Sequence, residues 1–194
     1  MAESEYPRMP EELDKAEQEL AAARKKVNDL RKQIEQRPVN DYVIKDLAGN
    51  DVTLSSLFGD KDDLILVHNM GKKCSYCTMW ADGLIGVKDH LSDRAAFVVV
   101  SYDDPETAKQ FGASRDWSFP LYSNGGSPFF KEMGFESPKG DPWPGVSTFH
   151  RESDGTIKRI SYAYFGPGDD FCSVWHFFDL LQDGPNDWSP KYKY

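Results

Sequence analysis

Two runs are apolar at every position, Leu64 to Val67 and Ala95 to Val100. A strand with one wet face alternates apolar and polar residues, so unbroken runs mark strands covered on both faces. From Cys74 to about Leu91 the intervening pattern is helical, and strand, helix, strand describes a crossover in a largely parallel sheet. The expected body is therefore an α/β layer. Asp41 to Lys45 and Val52 to Leu54 form a short hairpin ahead of the strand from Leu64 to Met70. After the second run, Asp104 caps a helix with Pro105 in its first turn, ending near Phe111. Gly- and Pro-rich irregular sequence follows. Val146 to His150 and Thr156 to Tyr162 flank an Asp154-Gly155 turn and read as a hairpin. A last helix spans about Asp170 to Leu181.

A helical arm precedes this body. From Glu11 to Arg37 strong helix formers dominate, ending at Pro38. Leu13, Leu20, Val27 and Ile34 recur every seven residues, with Ala16, Ala23 and Leu30 between them, which makes an a/d seam. Acids crowd its first half and bases its second, suiting the helix dipole and antiparallel pairing alike. The expected division is 1–37 for the arm and 38–194 for the body. A homodimer through 11–37 and a helix laid along its own body both remain open.

The formal charge of -9 divides into -1 on the arm and -8 on the body. Nucleic acid and anionic membranes are bound through concentrated Lys and Arg, so neither is an expected partner. The longest apolar run is six residues, too short to span a bilayer. The opening MAESEYPRMPEE shows no basic region followed by an apolar one, and a cytoplasmic address is the expectation. Three cysteines, an odd count, argue against a structural disulfide framework in a reducing compartment.

Two of those cysteines carry the chemistry. In LILVHNMGKKCSYCTMW, a buried strand runs through a short loop into C-x-x-C where a helix begins. Unpaired N–H groups and the positive end of the dipole there favour a thiolate at Cys74, and Lys72 and Lys73 are expected to tune it. Cys77 is close enough to resolve a mixed disulfide. Haem attachment is excluded because Thr78, not His, follows Cys77. Zinc held by Cys74, Cys77, Cys172 and His176 is the competing arrangement, although 94 residues separate its two pairs. Cys172 alone reads as a core residue. Trp143 stands beside Pro144, and an aromatic wall near the dithiol would suit an apolar ligand or a partner's peptide. Asp82 is either a functional acid or a surface contact.

Leu57-Phe-Gly, the strand carrying His68, C-x-x-C, Trp80-Ala-Asp82, His90-Leu91, Asp116-Trp117-Ser-Phe-Pro120, Gly145-Val146 and the closing aromatic helix together resemble a known family. It is the bacterial thioredoxin-like family catalogued as domain of unknown function eight hundred and ninety-nine. The resemblance implies a thioredoxin-like fold in its peroxiredoxin-related form: a central mixed sheet flanked by helices, an N-terminal β-hairpin and a preceding long helix. It implies Cys74 as attacking and Cys77 as resolving cysteine. His68, six residues before Cys74, stands where thioredoxins carry a buried acid that moves protons; a core histidine satisfied by one hydrogen bond is the alternative. Pro144, or else Pro142, matches the proline held in cis against the dithiol. Lys73, Tyr76, Trp143 and Pro144 are the candidate substrate contacts. Peroxiredoxins place Thr or Ser three residues before the reactive cysteine, whereas Gly71 precedes Cys74 so, and peroxidase activity is not implied. The expected function is exchange with a protein or small-molecule disulfide or thiol, with no organic cofactor because the sulfurs carry the electrons. A non-catalytic binding protein holding a metal or apolar ligand is the second expectation.

Overall fold

The computed structural model describes residues 9–194, and the chain divides into two compact units, Met1–Glu35 and Gln36–Tyr194. The first contains α1 (Glu11–Arg31), which starts after Pro10 and carries Glu11, Glu12 and Asp14 in its first turn and Arg31 in its last. This distribution complements the dipole. The helix stops well short of Pro38. Gln33 and Ile34 donate to Leu30 and Arg31 in tight turns, so Ile34 falls outside the helix that its spacing predicts. Arg37 and Val39 bond to β7 and belong with the second unit.

That unit begins with β1 (Val43–Lys45) and β2 (Asp51–Thr53), the predicted hairpin, then a 3-10 turn over Leu54–Phe58. β3 (Asp63–Asn69) leads to α2 (Ser75–Leu84) and α3 (Lys88–Arg94). The predicted single helix breaks between Gly83 and Gly86, where Ile85 and Val87 make i→i+3 bonds and low glycine propensity weakens the ladder. β4 (Ala96–Ser101) is followed by α4 (Pro105–Ser114), with the Asp104 carboxylate accepting the Thr107 N–H at 3.0 Å as the expected cap. β5 (Leu121–Ser123) and α5 (Phe129–Glu132) lie within the stretch expected to be irregular. Only pairing with β4 and β1 makes three residues a strand, and burial of Phe129 and Phe130 seats the single turn of α5. β6 (Gly145–Arg151) and β7 (Ile157–Tyr164) form the predicted antiparallel hairpin, whose turn uses Gly155 at φ +87°. α6 (Ser173–Asp179) closes the fold.

The seven strands form one mixed sheet in the order β2-β1-β5-β4-β3-β6-β7, with β3, β4 and β5 parallel at its centre. Alternate residues of β3 face opposite layers. Leu64 and Leu66 join Phe58, Phe129, Phe130, Phe135 and Phe149 on one side, while Val67 joins Ala81 of α2 and Phe119 on the other. This is the thioredoxin-like fold expected. Among the described residues, no helix is long and apolar enough to cross a membrane.

Candidate active site

Cys74 caps α2. Its backbone is extended and its Sγ accepts the Cys77 N–H at 3.0 Å, satisfying a donor that the helix start leaves orphaned. The loop before it is fixed from two sides. Asn69 accepts the Gly71 N–H at 2.7 Å and donates to the Cys77 carbonyl at 3.3 Å, while Asp103 accepts the Lys72 N–H at 2.7 Å. Gly71 adopts φ +91°, and a Cβ there would lie 2.5 Å from the Asp103 carboxyl, so no other residue fits without displacing that anchor. Asn69 and Asp103 are positioning residues that the sequence reading missed. An Asx residue two before a glycine is the local signal for one of them; nothing local marks the other.

The two sulfurs are distinguished by their surroundings. Cys74 is half-buried, and its pKa is lowered to about 7, chiefly by the Cys77 thiol and then, against some burial, by the N–H groups of Cys77 and Tyr76. Cys77 is buried; hydrogen bonding to Cys74, burial and the Cys74 charge push its pKa far up. The half-buried sulfur is thus the more readily ionised of the two, and the buried one keeps its proton. Lys72 and Lys73 are exposed, and neither charge enters the Cys74 shift, so helix-start donors and the second thiol replace the expected lysine effect. Cys172 offers a contrast. It also precedes a helix, but burial and nearby Asp169 raise its pKa, leaving an inert core thiol.

His68 does not face the dithiol. It lies on the Leu64 and Leu66 side of β3, whereas Val67 and Asn69 lie on the α2 side. Its ring stacks on Phe135 with centroids 3.8 Å apart, meets Phe130 edge-on, and bonds through Nε2 to Ser147 Oγ at 2.9 Å. Burial, then the Arg159 charge, holds its pKa well below the usual imidazole value. It is a neutral core histidine on this geometry. Gly145 sits opposite it in register, and a Cβ there would meet Phe135 and the Ala163 carbonyl at 2.4 Å.

The other candidates divide as well. Trp143 packs edge-on against Tyr164, which in turn meets Phe135, so it belongs to the His68 side and not to a wall beside the sulfurs. No cis peptide occurs among the described residues; Pro144 is trans, with its carbonyl accepting the Phe165 N–H at 3.0 Å in continuation of the β6–β7 pairing. Tyr76 does lie at the site, between Trp80 and Trp175 at 6.2 and 6.0 Å. With Cys77 and Cys172, these tryptophans form a compact cluster under the dithiol. Lys73 remains at the solvent edge of the loop.

Asp82 is an anchor. It pairs with Arg115 and accepts from Trp117 Nε1 at 2.9 Å, tying α2 to the end of α4. Arg115 also donates to the Tyr192 carbonyl at 2.6 Å, and Trp188 meets Phe178 and Trp175, so the C-terminal tail docks on its own body. Burial, then the Cys74 charge, raises the Tyr192 pKa. Between α2, α6 and this tail lies a groove of about 660 Å³ lined by Met79, Trp80, Leu84, Phe171, Val174 and Trp188.

The zinc arrangement is not assembled. Among the described residues, no three His, Cys, Asp or Glu side chains are placed to hold a metal. Cys172 is buried, while His176 turns outward toward Asp170 and Asp179, 3.9 Å from each.

Solved structures share this architecture. A peroxidoxin, BcpB, from Mycobacterium tuberculosis aligns with a TM-score of 0.53 at 21% identity, over 66% of this chain and 84% of its own. Reduced Prx3 from Vibrio vulnificus, in complex with hydrogen peroxide, aligns at 0.56 and 16%, over 70% and 90%. At such identities the likeness is one of fold. No curated protein matches the chain. The family model described as bacterial protein of unknown function (DUF899) matches residues 1–194, and the chain belongs to that family.

Proposed function

We propose that this protein is a dithiol/disulfide oxidoreductase. The observation that carries the reading is a half-buried Cys74 capping α2, its Sγ accepting the N–H of buried Cys77 at 3.0 Å, with the Cys74 pKa lowered to about 7 and that of Cys77 raised. The Cys74 thiolate attacks one sulfur of a substrate disulfide, forming a mixed disulfide and expelling the other sulfur, which takes a proton from solvent. Cys77 then attacks Cys74 Sγ, its proton passing to the departing substrate sulfur. Two electrons move from the dithiol to the substrate, leaving a Cys74–Cys77 disulfide that an external thiol reductant returns to the start. Tyr76 and the exposed Lys73 flank the approach, and the groove beside Trp80 suits an apolar portion of the substrate. Three free thiols fit a reducing, cytoplasmic setting.

Reduction of a small aromatic disulfide tests this. The wild type should turn it over, Cys74→Ser should not, and Cys77→Ser should stop at a mixed disulfide detectable by mass. A wild type that neither reduces the disulfide nor forms an adduct at Cys74 leaves the binding-protein reading, with the groove as its ligand site.

A further inference from the structure

The surface of α1 poses a question that the dithiol does not answer. No residue of the helix is buried, and Leu13, Leu20, Val27 and Leu30 stand 49, 46, 44 and 53% exposed along one seam. Helices in proteins draw most of their stability from packing an apolar face, and this seam is such a face. Within the helix Gln18 bonds Asp14 at 2.8 Å, Lys25 pairs with Asp29 at 2.6 Å and Arg31 bonds Asn28 at 3.3 Å, contacts that leave the apolar side chains of the seam uncovered.

We propose that α1 pairs with α1 of a second copy of this chain as an antiparallel coiled coil, with Leu13 facing the partner's Leu30, Ala16 the partner's Val27, and Leu20 the partner's Ala23. Three features select this arrangement. The two-fold axis falls between Ala21 and Ala22, so the seam runs from Leu13 to Leu30 and uses only residues inside the helix. Each central layer sets an alanine against a larger side chain, which lets the backbones approach closely without a void. The flanking charges also match, because antiparallel neighbours pair e with e and g with g. Glu17 meets the partner's Arg24 and Glu19 the partner's Lys26, each twice by symmetry.

Other alignments lose this match. Sliding the antiparallel pair one heptad brings Lys26 against the partner's Lys26 and Arg24 against the partner's Arg24, and requires Ile34, which lies beyond the helix. A parallel pair sets Glu12 against the partner's Glu17 and Lys26 against the partner's Arg31, with only Glu19 and the partner's Arg24 attractive.

Sedimentation equilibrium of the full chain tests the pairing. The wild type should dimerise, while Glu17→Lys with Glu19→Lys, and separately Arg24→Glu with Lys26→Glu, should each turn four attractive contacts repulsive. Each double variant should weaken dimerisation roughly a hundredfold, and an equimolar mixture of the two should restore it, since the mixed pair is attractive throughout. The mixture also separates lost pairing from lost helix. In a parallel pair, either double variant leaves the balance of like and unlike contacts unchanged. A wild type that stays monomeric, double variants that still dimerise, or a mixture that stays monomeric would each overturn the proposal.

Discussion

Replacing Cys77 with alanine removes the largest single contribution to the low Cys74 pKa while leaving the backbone N–H groups of Tyr76 and Cys77 in place. Against an ordinary thiol value of 9.0, Cys74 titrates at about 7. Losing the thiol donor should return about one unit of that shift, to about 8. At neutral pH the thiolate fraction then falls from about one half to about one tenth. Because a more basic thiolate is also a better nucleophile, the alkylation rate at neutral pH drops only about twofold. The midpoint of the rate against pH is therefore the quantity to measure, with iodoacetamide as reagent and Cys172 protected by burial. Cys77→Ser keeps a hydrogen-bond donor and should leave the midpoint near the wild-type value. Equal midpoints for the alanine and serine variants, or an alanine variant still titrating at about 7, would show that backbone donors alone hold the thiolate. Stability carries a related sign. Between about 7 and 9 the unfolded chain binds the proton that folded Cys74 has lost, so stability rises with pH. Above that window, unfolded Cys77 and Cys172 ionise while their folded counterparts resist it, and stability falls; alanine at 77 removes the Cys77 part and leaves that of Cys172.

Two substitutions test the opposite side of the sheet. His68→Phe keeps the ring stack and should leave the disulfide-exchange rate within twofold, while unpairing Ser147 Oγ costs about 1 kcal/mol in denaturant unfolding. Folded His68 stays neutral where the unfolded residue binds a proton, so wild-type stability falls as pH drops below 6.5 and the Phe variant loses that part of the dependence. A tenfold slower exchange would place the imidazole in the sulfur chemistry after all. Gly145→Ala forces a Cβ against a backbone carbonyl and Phe135 and should destabilise by about 2 kcal/mol in the same assay. A change below about 0.5 kcal/mol would mean that β6 and β7 part easily there.

Local chemistry made much of this protein readable. Unbroken apolar runs specified β3 and β4, Asp104-Pro105 marked the start of α4, Asp154-Gly155 marked the β6–β7 turn, and the C-x-x-C at a helix start located the dithiol. Each signal lies within a few residues of what it specifies. β5 and α5 were invisible because long-range pairing and burial, rather than propensity, create them. The role of His68 was hidden for a deeper reason. A strand apolar on both faces carries no alternation, so its sequence does not say which face α2 will cover. Position 68 and position 69 point oppositely, and only the packed sheet assigned Asn69 to the dithiol loop and His68 to the aromatic core. In the same way, the C-terminal tail and α6, distant in sequence, supply the Trp175 and Trp188 surroundings of the sulfurs while Trp143 packs elsewhere. The cysteine pair and its helix were thus written in neighbouring residues. Which groups surround that pair depended on the pleat and on contacts across the chain, which no local pattern encodes.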